Sequence, residues 1–158
     1  MITTAMSTVI GAGRARVWRA LTEAAEVVRW DVRVIGLEDP ASEYPRVGQS
    51  VRWRYQLGTI PVLLHERPIE VIPDLRLRSL VKLGLFRFDE TFQLATEPGD
   101  RERTRLTLKL VASNSVPVVG GVLDRFAVRR LATEFIDAKL RAVQKWCENP
   151  PPRRRGKR

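Results

Sequence analysis

"STVIGAGRARVWRALTEAAEVVRWD", residues 7–31, carries an apolar strand into Gly11-Ala12-Gly13 and then into a helical pattern. A dinucleotide-binding loop begins in the same way. The full fingerprint, however, is G-x-G-x-x-G opening a βαβ unit, with the third glycine letting helix and strand pack closely. Here Arg16 stands at that third place. The elements that follow are also wrong for it, because a run of alternating strands succeeds the helices instead of a parallel strand and another helix. The glycines are therefore expected to make a tight strand-to-helix turn.

Outward from this stretch, residues 2–10 are rich in Thr, Val and Ile and predict a strand. From Arg14 the apolar period lengthens: Val17, Ala20, Leu21 and Ala24 lie on one helical face. Val27, Val28 and Trp30 continue it into a second short helix or a bent extension of the first. A strand is expected near residues 32–37. In "SVRWRYQL", Val51, Trp53, Tyr55 and Leu57 alternate with Arg52, Arg54 and Gln56, so one face is apolar and the other wet. "LGTIP" supplies a turn. In 62–72, Leu63, His65, Ile69 and Val71 are read as sharing the inner face.

Past Pro73-Asp74, the set Leu75, Leu77, Ser79 and Val81 alternates with Arg76, Arg78, Leu80 and Lys82. Phe86, Phe88, Glu90, Phe92 and Leu94 alternate with Arg87, Asp89, Thr91 and Gln93. Leu106, Leu108 and Leu110 then oppose Arg105, Thr107 and Lys109 after the turn "TEPGDRER". This gives about six or seven antiparallel strands. The last element is a long helix from Gly120 to Cys147, roughly 42 Å at 1.5 Å per residue. Its apolar stripe is read as Leu123, Phe126, Ala127, Leu131, Phe135, Ala138, Ala142 and Trp146. The fold class is thus α+β: a curved antiparallel sheet gripping a long C-terminal α-helix, with two short helices after the first strand.

The bulk numbers agree with one domain. The chain has 158 residues, 44% of them hydrophobic and 29% charged, and no apolar run approaches the roughly 20 residues that span a bilayer. "MITTAMSTVI" has neither a basic leader nor a continuous apolar core, and the single cysteine, Cys147, leaves no internal disulfide. A cytoplasmic setting is the expectation. The formal charge of +10 is concentrated in part in "PPRRRGKR", where five cations stand without an acid. Residues 1–149 are expected to form the domain and 150–158 a basic extension that touches acidic surfaces only weakly.

Beyond these patterns, "VIGAGRARVWRALTEAAEVVRW" resembles the N-terminal signature of the START-like, polyketide cyclase/dehydratase (SRPBCC) superfamily. Val17-Trp18, Ala20-Leu21-Thr22 and Trp30 carry the likeness. "IEVIPDLRLRS" resembles that family's strand-turn-strand segment at Pro73, Arg76 and Leu77, and "TFQLATEPGDRERTRLTL" its penultimate hairpin. The resemblance runs over about residues 2–147, and Gly13 departs from the Pro or Ser usual at that turn. It implies the helix-grip fold and a cavity between sheet and helix. The family's activities range over lipid and hormone binding, polyketide cyclisation and chaperone co-activation, so the resemblance implies a cavity and leaves the reaction open.

Three side chains are candidates for chemistry. His65, the only histidine, is placed inward by strand parity, where an imidazole would serve as a general base or hold a ligand; its ordinary reading is a hydrogen-bonded, partly exposed imidazole. "HERPIE" lacks the second histidine of a zinc helix, since Ile69 stands there, and no metal or cofactor is assigned. Glu90 shares the parity of Phe86, Phe88 and Phe92, and a carboxylate on an apolar face must be paired, protonated or facing a wet space. Tyr55 is the best polar handle. Trp53, Tyr55, Phe88, Phe92, Phe126 and Phe135 are the expected ligand-contacting wall.

Two readings follow. One is a protein that binds a hydrophobic small molecule, a lipid or a polycyclic aromatic of polyketide type. The other is a cyclase or dehydratase in which His65, Glu90 or Tyr55 moves protons. Arg52, Arg54, Arg76, Arg78, Lys82, Arg87, Arg105 and Lys109 would gather on the outer sheet face. A solvated face is the ordinary meaning of such a pattern, and nucleic acid is not the expected partner, because few aromatics interleave with these cations.

Overall fold

A computed structural model describes residues 1–38, 43–112 and 125–149. The chain runs β1 (Ile2–Ile10), α1 (Arg14–Thr22), α2 (Ala24–Trp30), β2 (Val34–Leu37), β3 (Val51–Leu57), β4 (Ile60–Ile72), β5 (Arg76–Leu83), β6 (Phe86–Glu97), β7 (Asp100–Ala112) and α3 (Arg125–Glu148). The strands form one sheet in the order β1-β7-β6-β5-β4-β3-β2, and every pairing is antiparallel. Of the two ends foreseen for the last helix, Gly120 lies outside the described residues, and the helix is seen from Arg125.

Tight turns set the registers. Leu57 pairs with Ile60 around Gly58-Thr59, and Leu83 with Phe86 around Gly84-Leu85. Gly58 and Gly84 each take φ of 59° while the residue after them stays at negative φ. That is the two-residue hairpin turn whose first position favours glycine and whose twist matches that of the strands.

The core lies between the inner sheet face and the helices. Trp53, Leu77, Phe92, Leu94, Leu106 and Leu108 from the sheet meet Val17, Ala20, Leu21 and Trp30 from α1 and α2. Trp30 is fixed by its indole N–H, which donates to Ala20 O at 2.8 Å. The glycine turn before α1 is indeed a turn. The Gly11 amide donates to the Glu148 carboxylate at 2.9 Å, so an acid of α3 takes the place of a phosphate there.

Two patterns read from the sequence need correction. The face of α3 that enters the core is Ile136, Leu140, Val143 and Cys147, whereas Phe126 is 77% exposed and Leu131 57%. The true stripe is rotated by one residue from the one expected. In β4, the inner residues are Leu64, Glu66 and Pro68, and His65 faces solvent. A bulge between Pro68 and Glu70 reverses the parity along the strand. Val71 therefore points inward without taking His65 with it.

Candidate functional site

The inner sheet face and α3 enclose a hollow of about 40 Å³ bordered by Trp30, Tyr44, Trp53, Tyr55, Phe88, Phe92, Glu66, Glu90 and Lys139, among others. At roughly 10–15 Å³ per water centre it has room for about three waters. The walls of this pit are aromatic and aliphatic, Leu21, Val34, Leu77 and Val81 among them, with a few polar groups set into them.

Glu66 is its floor. Three donors converge on this carboxyl: Trp53 Nε1 at 2.7 Å on Oε2, Ser79 Oγ at 2.7 Å on Oε1, and Tyr44 Oη at 3.0 and 3.3 Å. Ser79 sits on β5 directly beside β4, and Tyr44 stacks edge-on against Trp53 with ring centroids 5.4 Å apart. Burial raises the Glu66 pKa above its ordinary value, the three hydrogen bonds oppose that rise, and the neighbouring Glu90 adds to it. Tyr44 is pushed up as well, by burial first and then by Glu66.

A second cluster faces the first. Lys139 of α3 donates to Glu90 Oε2 at 2.8 Å, and both side chains are nearly enclosed. Burial lowers the Lys139 pKa, but Glu90 and Asp31 outweigh it, so the ammonium is held charged above its usual range. Its charge also lies 4.8 Å from the Phe135 ring centre and 5.7 Å from that of Phe92, which favours a cation in a dry place. Tyr55 is fully buried. No described side chain completes a hydrogen bond to its Oη. Burial raises its pKa, while the Lys139 charge and the approach of the Arg33 side chain, which falls short of hydrogen-bond geometry, pull the other way. A hydroxyl buried without a partner costs on the order of 1–3 kcal/mol, so Tyr55 Oη is a donor waiting for an acceptor.

A larger space opens beside this pit. A groove of about 370 Å³ runs between the sheet and the first turns of α3, walled by Leu57, Leu83, Phe86, Leu110, Val128, Leu131, Ala132 and Phe135. That volume falls within the roughly 300–1,000 Å³ typical of small-molecule sites. Phe88 borders both spaces, and it packs edge-on against Phe135 with centroids 6.2 Å apart. The pair forms a partition, and Arg33 lies over the far ring at 5.5 Å.

The residues singled out from the sequence thus divide. Trp53, Tyr55, Phe88, Phe92 and Glu90 border the pit, and Phe135 borders the groove. His65 and Phe126 border neither, so the His65–Glu90 acid/base pair does not form. Glu66, Ser79, Tyr44 and Lys139 are members that the sequence reading did not select. The signal for Glu66 was present: the two-residue Gly58-Thr59 turn forces Arg52 opposite His65 and Trp53 opposite Leu64, which puts Glu66 inside.

No family model matches the chain, and no curated relative does. Solved structures do. A START superfamily protein from Mycobacterium smegmatis aligns with a TM-score of 0.72 at 13% identity, over 92% of this chain and 97% of its own. TTHA0849 from Thermus thermophilus aligns at 0.66 and 25% identity, over 92% and 97%. DynU16, from the dynemicin biosynthetic locus, aligns at 0.61 and 18% identity, covering 88% of this chain and 46% of its own. The architecture is the START-like helix-grip fold.

Proposed function

We propose that the protein binds a hydrophobic small molecule, of lipid or polycyclic aromatic type, with its apolar body in the groove and an oxygen-bearing end at the pit. The observation that carries this reading is the pairing of an apolar groove with an unsatisfied buried donor, Tyr55 Oη, just past the Phe88–Phe135 partition. A rotamer change of Phe88 joins the two spaces. A carbonyl, hydroxyl or carboxylate oxygen arriving there accepts from Tyr55 and from the Lys139 ammonium.

Binding is favoured over catalysis because the expected histidine faces solvent. Of the pit's carboxylates, Glu66 is engaged by three donors, Glu90 by Lys139 and Asp31 by the Arg33 amide, and the open Tyr55 hydroxyl is a poor proton donor because burial raises its pKa.

Native mass spectrometry of protein purified from its own host tests the reading. A co-purified organic adduct, lost in an Ala132→Trp variant that fills the groove, is expected. An adduct that survives this substitution, or protein that takes up no lipid or aromatic compound in either form, would contradict it.

A further inference from the structure

The end of the molecule at which the groove opens has a second property. The β3–β4 and β5–β6 hairpins, the start of β1 and the first turns of α3 all meet there. Leu57, Ile60, Leu85, Phe86 and Leu131 are each between 41% and 63% exposed at this end. Large apolar side chains gathered at the tips of two hairpins and the rim of a groove mark an interaction surface more than a solvated one.

Behind the tips, on the outer sheet face, lies a row that the strand registers define. Arg52 pairs with His65, His65 with Lys82, and Lys82 with Arg87. Four basic side chains thus stand side by side on four neighbouring strands, about 5 Å apart from strand to strand. Like charges placed opposite one another destabilise a sheet. Among the described residues, His65, Lys82 and Arg87 make no ion pair, while the nearby Asp89 is committed to Arg78 at 2.6 Å. Three of the four also border an open depression of about 420 Å³ on that face. The row runs across the strands, and on β3 and β4 it lies deeper, with Arg52 and His65 five residue pairs behind Leu57 and Ile60. Lys82 and Arg87 sit one residue pair behind Leu83 and Phe86.

We propose that this end docks on an anionic lipid bilayer: the hairpin tips enter the headgroup region, and Lys82 and Arg87, directly behind the β5–β6 tip, meet acidic headgroups. An exposed apolar hairpin tip with two cations one residue pair behind it is the chemistry of a membrane-surface site. A nucleic acid fits less well, because the outer faces of β3 to β7 offer only the His65 imidazole as an aromatic surface for a base, and no Phe, Tyr or Trp. Docking in this pose sets the mouth of the groove against the membrane. The inference stands on these surface residues and holds or fails independently of what the groove binds.

Co-sedimentation of the full chain with vesicles tests it. Wild type is expected to bind vesicles of phosphatidylcholine mixed with phosphatidylglycerol, and to bind phosphatidylcholine alone far less. At about fivefold per cation, Lys82→Gln with Arg87→Gln lowers partitioning roughly 20- to 30-fold. Ile60→Ser with Leu85→Ser lowers it as well, while both double variants keep the wild-type melting temperature within a few degrees. Three results would overturn the proposal: equal binding to the two vesicle types, binding indifferent to Lys82 and Arg87, or binding abolished by replacing Arg153, Arg154 and Arg155 with Gln while the row variants bind normally. Displacement from vesicles by a duplex DNA, with the rim variants binding as wild type, would assign the row to nucleic acid instead.

Discussion

Glu66 shows how one side chain sets the character of the pit. Replacing it with Leu orphans the Trp53 indole N–H and the Ser79 and Tyr44 hydroxyls, and the expected loss is about 2–5 kcal/mol at any pH. Glu66→Gln behaves differently. Its carbonyl faces Trp53 while its amide donates to the two hydroxyls, which imitates the protonated acid. Because the folded-state pKa of Glu66 is raised, folding binds its proton more tightly than the unfolded chain does. The stability this gives is complete below the ordinary glutamate value of 4.5 and is lost as pH rises through the raised value. Urea denaturation across this window should therefore find Glu66→Gln gaining on wild type as pH increases. A variant that loses ground over the same interval would show that the ionised form is the one the fold prefers.

Elements were legible wherever alternation was clean. In β3, β5, β6 and β7 apolar side chains recur at alternate positions, interrupted by Ser79 and Glu90, and the faces assigned from that period are the faces observed. β4 failed because Leu63 and Leu64 are adjacent, leaving parity undecided. The bulge at Pro68–Glu70 then made Ile69 and Val71 misleading guides to His65. In α3 the error was angular. Ala and Phe residues at helical spacing outline one face, but Ile136, Leu140, Val143 and Cys147, one residue further round, meet β1 and the inner sheet. Stability measurements distinguish the two faces. Ile136→Ala should cost about 2–5 kcal/mol, because a fully buried side chain leaves a cavity. Leu131→Ala should change stability by less than about 0.5 kcal/mol. The reverse order would restore the face first read from the sequence.

At the scale of the whole molecule, the order of elements was enough to give an α+β curved antiparallel sheet with its helices on one face, because a meander of short-turned strands between an N-terminal helix pair and one long helix leaves few ways to bury a single apolar sheet face. The helix-grip itself came from the family resemblance. The polar content of the interior was not legible in the same way. Lys139 reaches Glu90 across 49 positions of sequence, and neither residue announces the other. What such pairing produces is an interior that is mostly filled, with a small pit separated from an apolar groove by two aromatic rings. The account rests on that groove taking an apolar body and the pit taking its oxygen. Methyl NMR titration with 1-acetonaphthone, an aromatic ketone, addresses both parts. Saturable shifts confined to Leu57, Leu83, Leu110, Val128 and Leu131 are predicted, with affinity about two- to tenfold weaker in Tyr55→Phe, the loss of one hydrogen bond. Shifts scattered over the outer sheet face, or groove shifts indifferent to Tyr55→Phe, would contradict it.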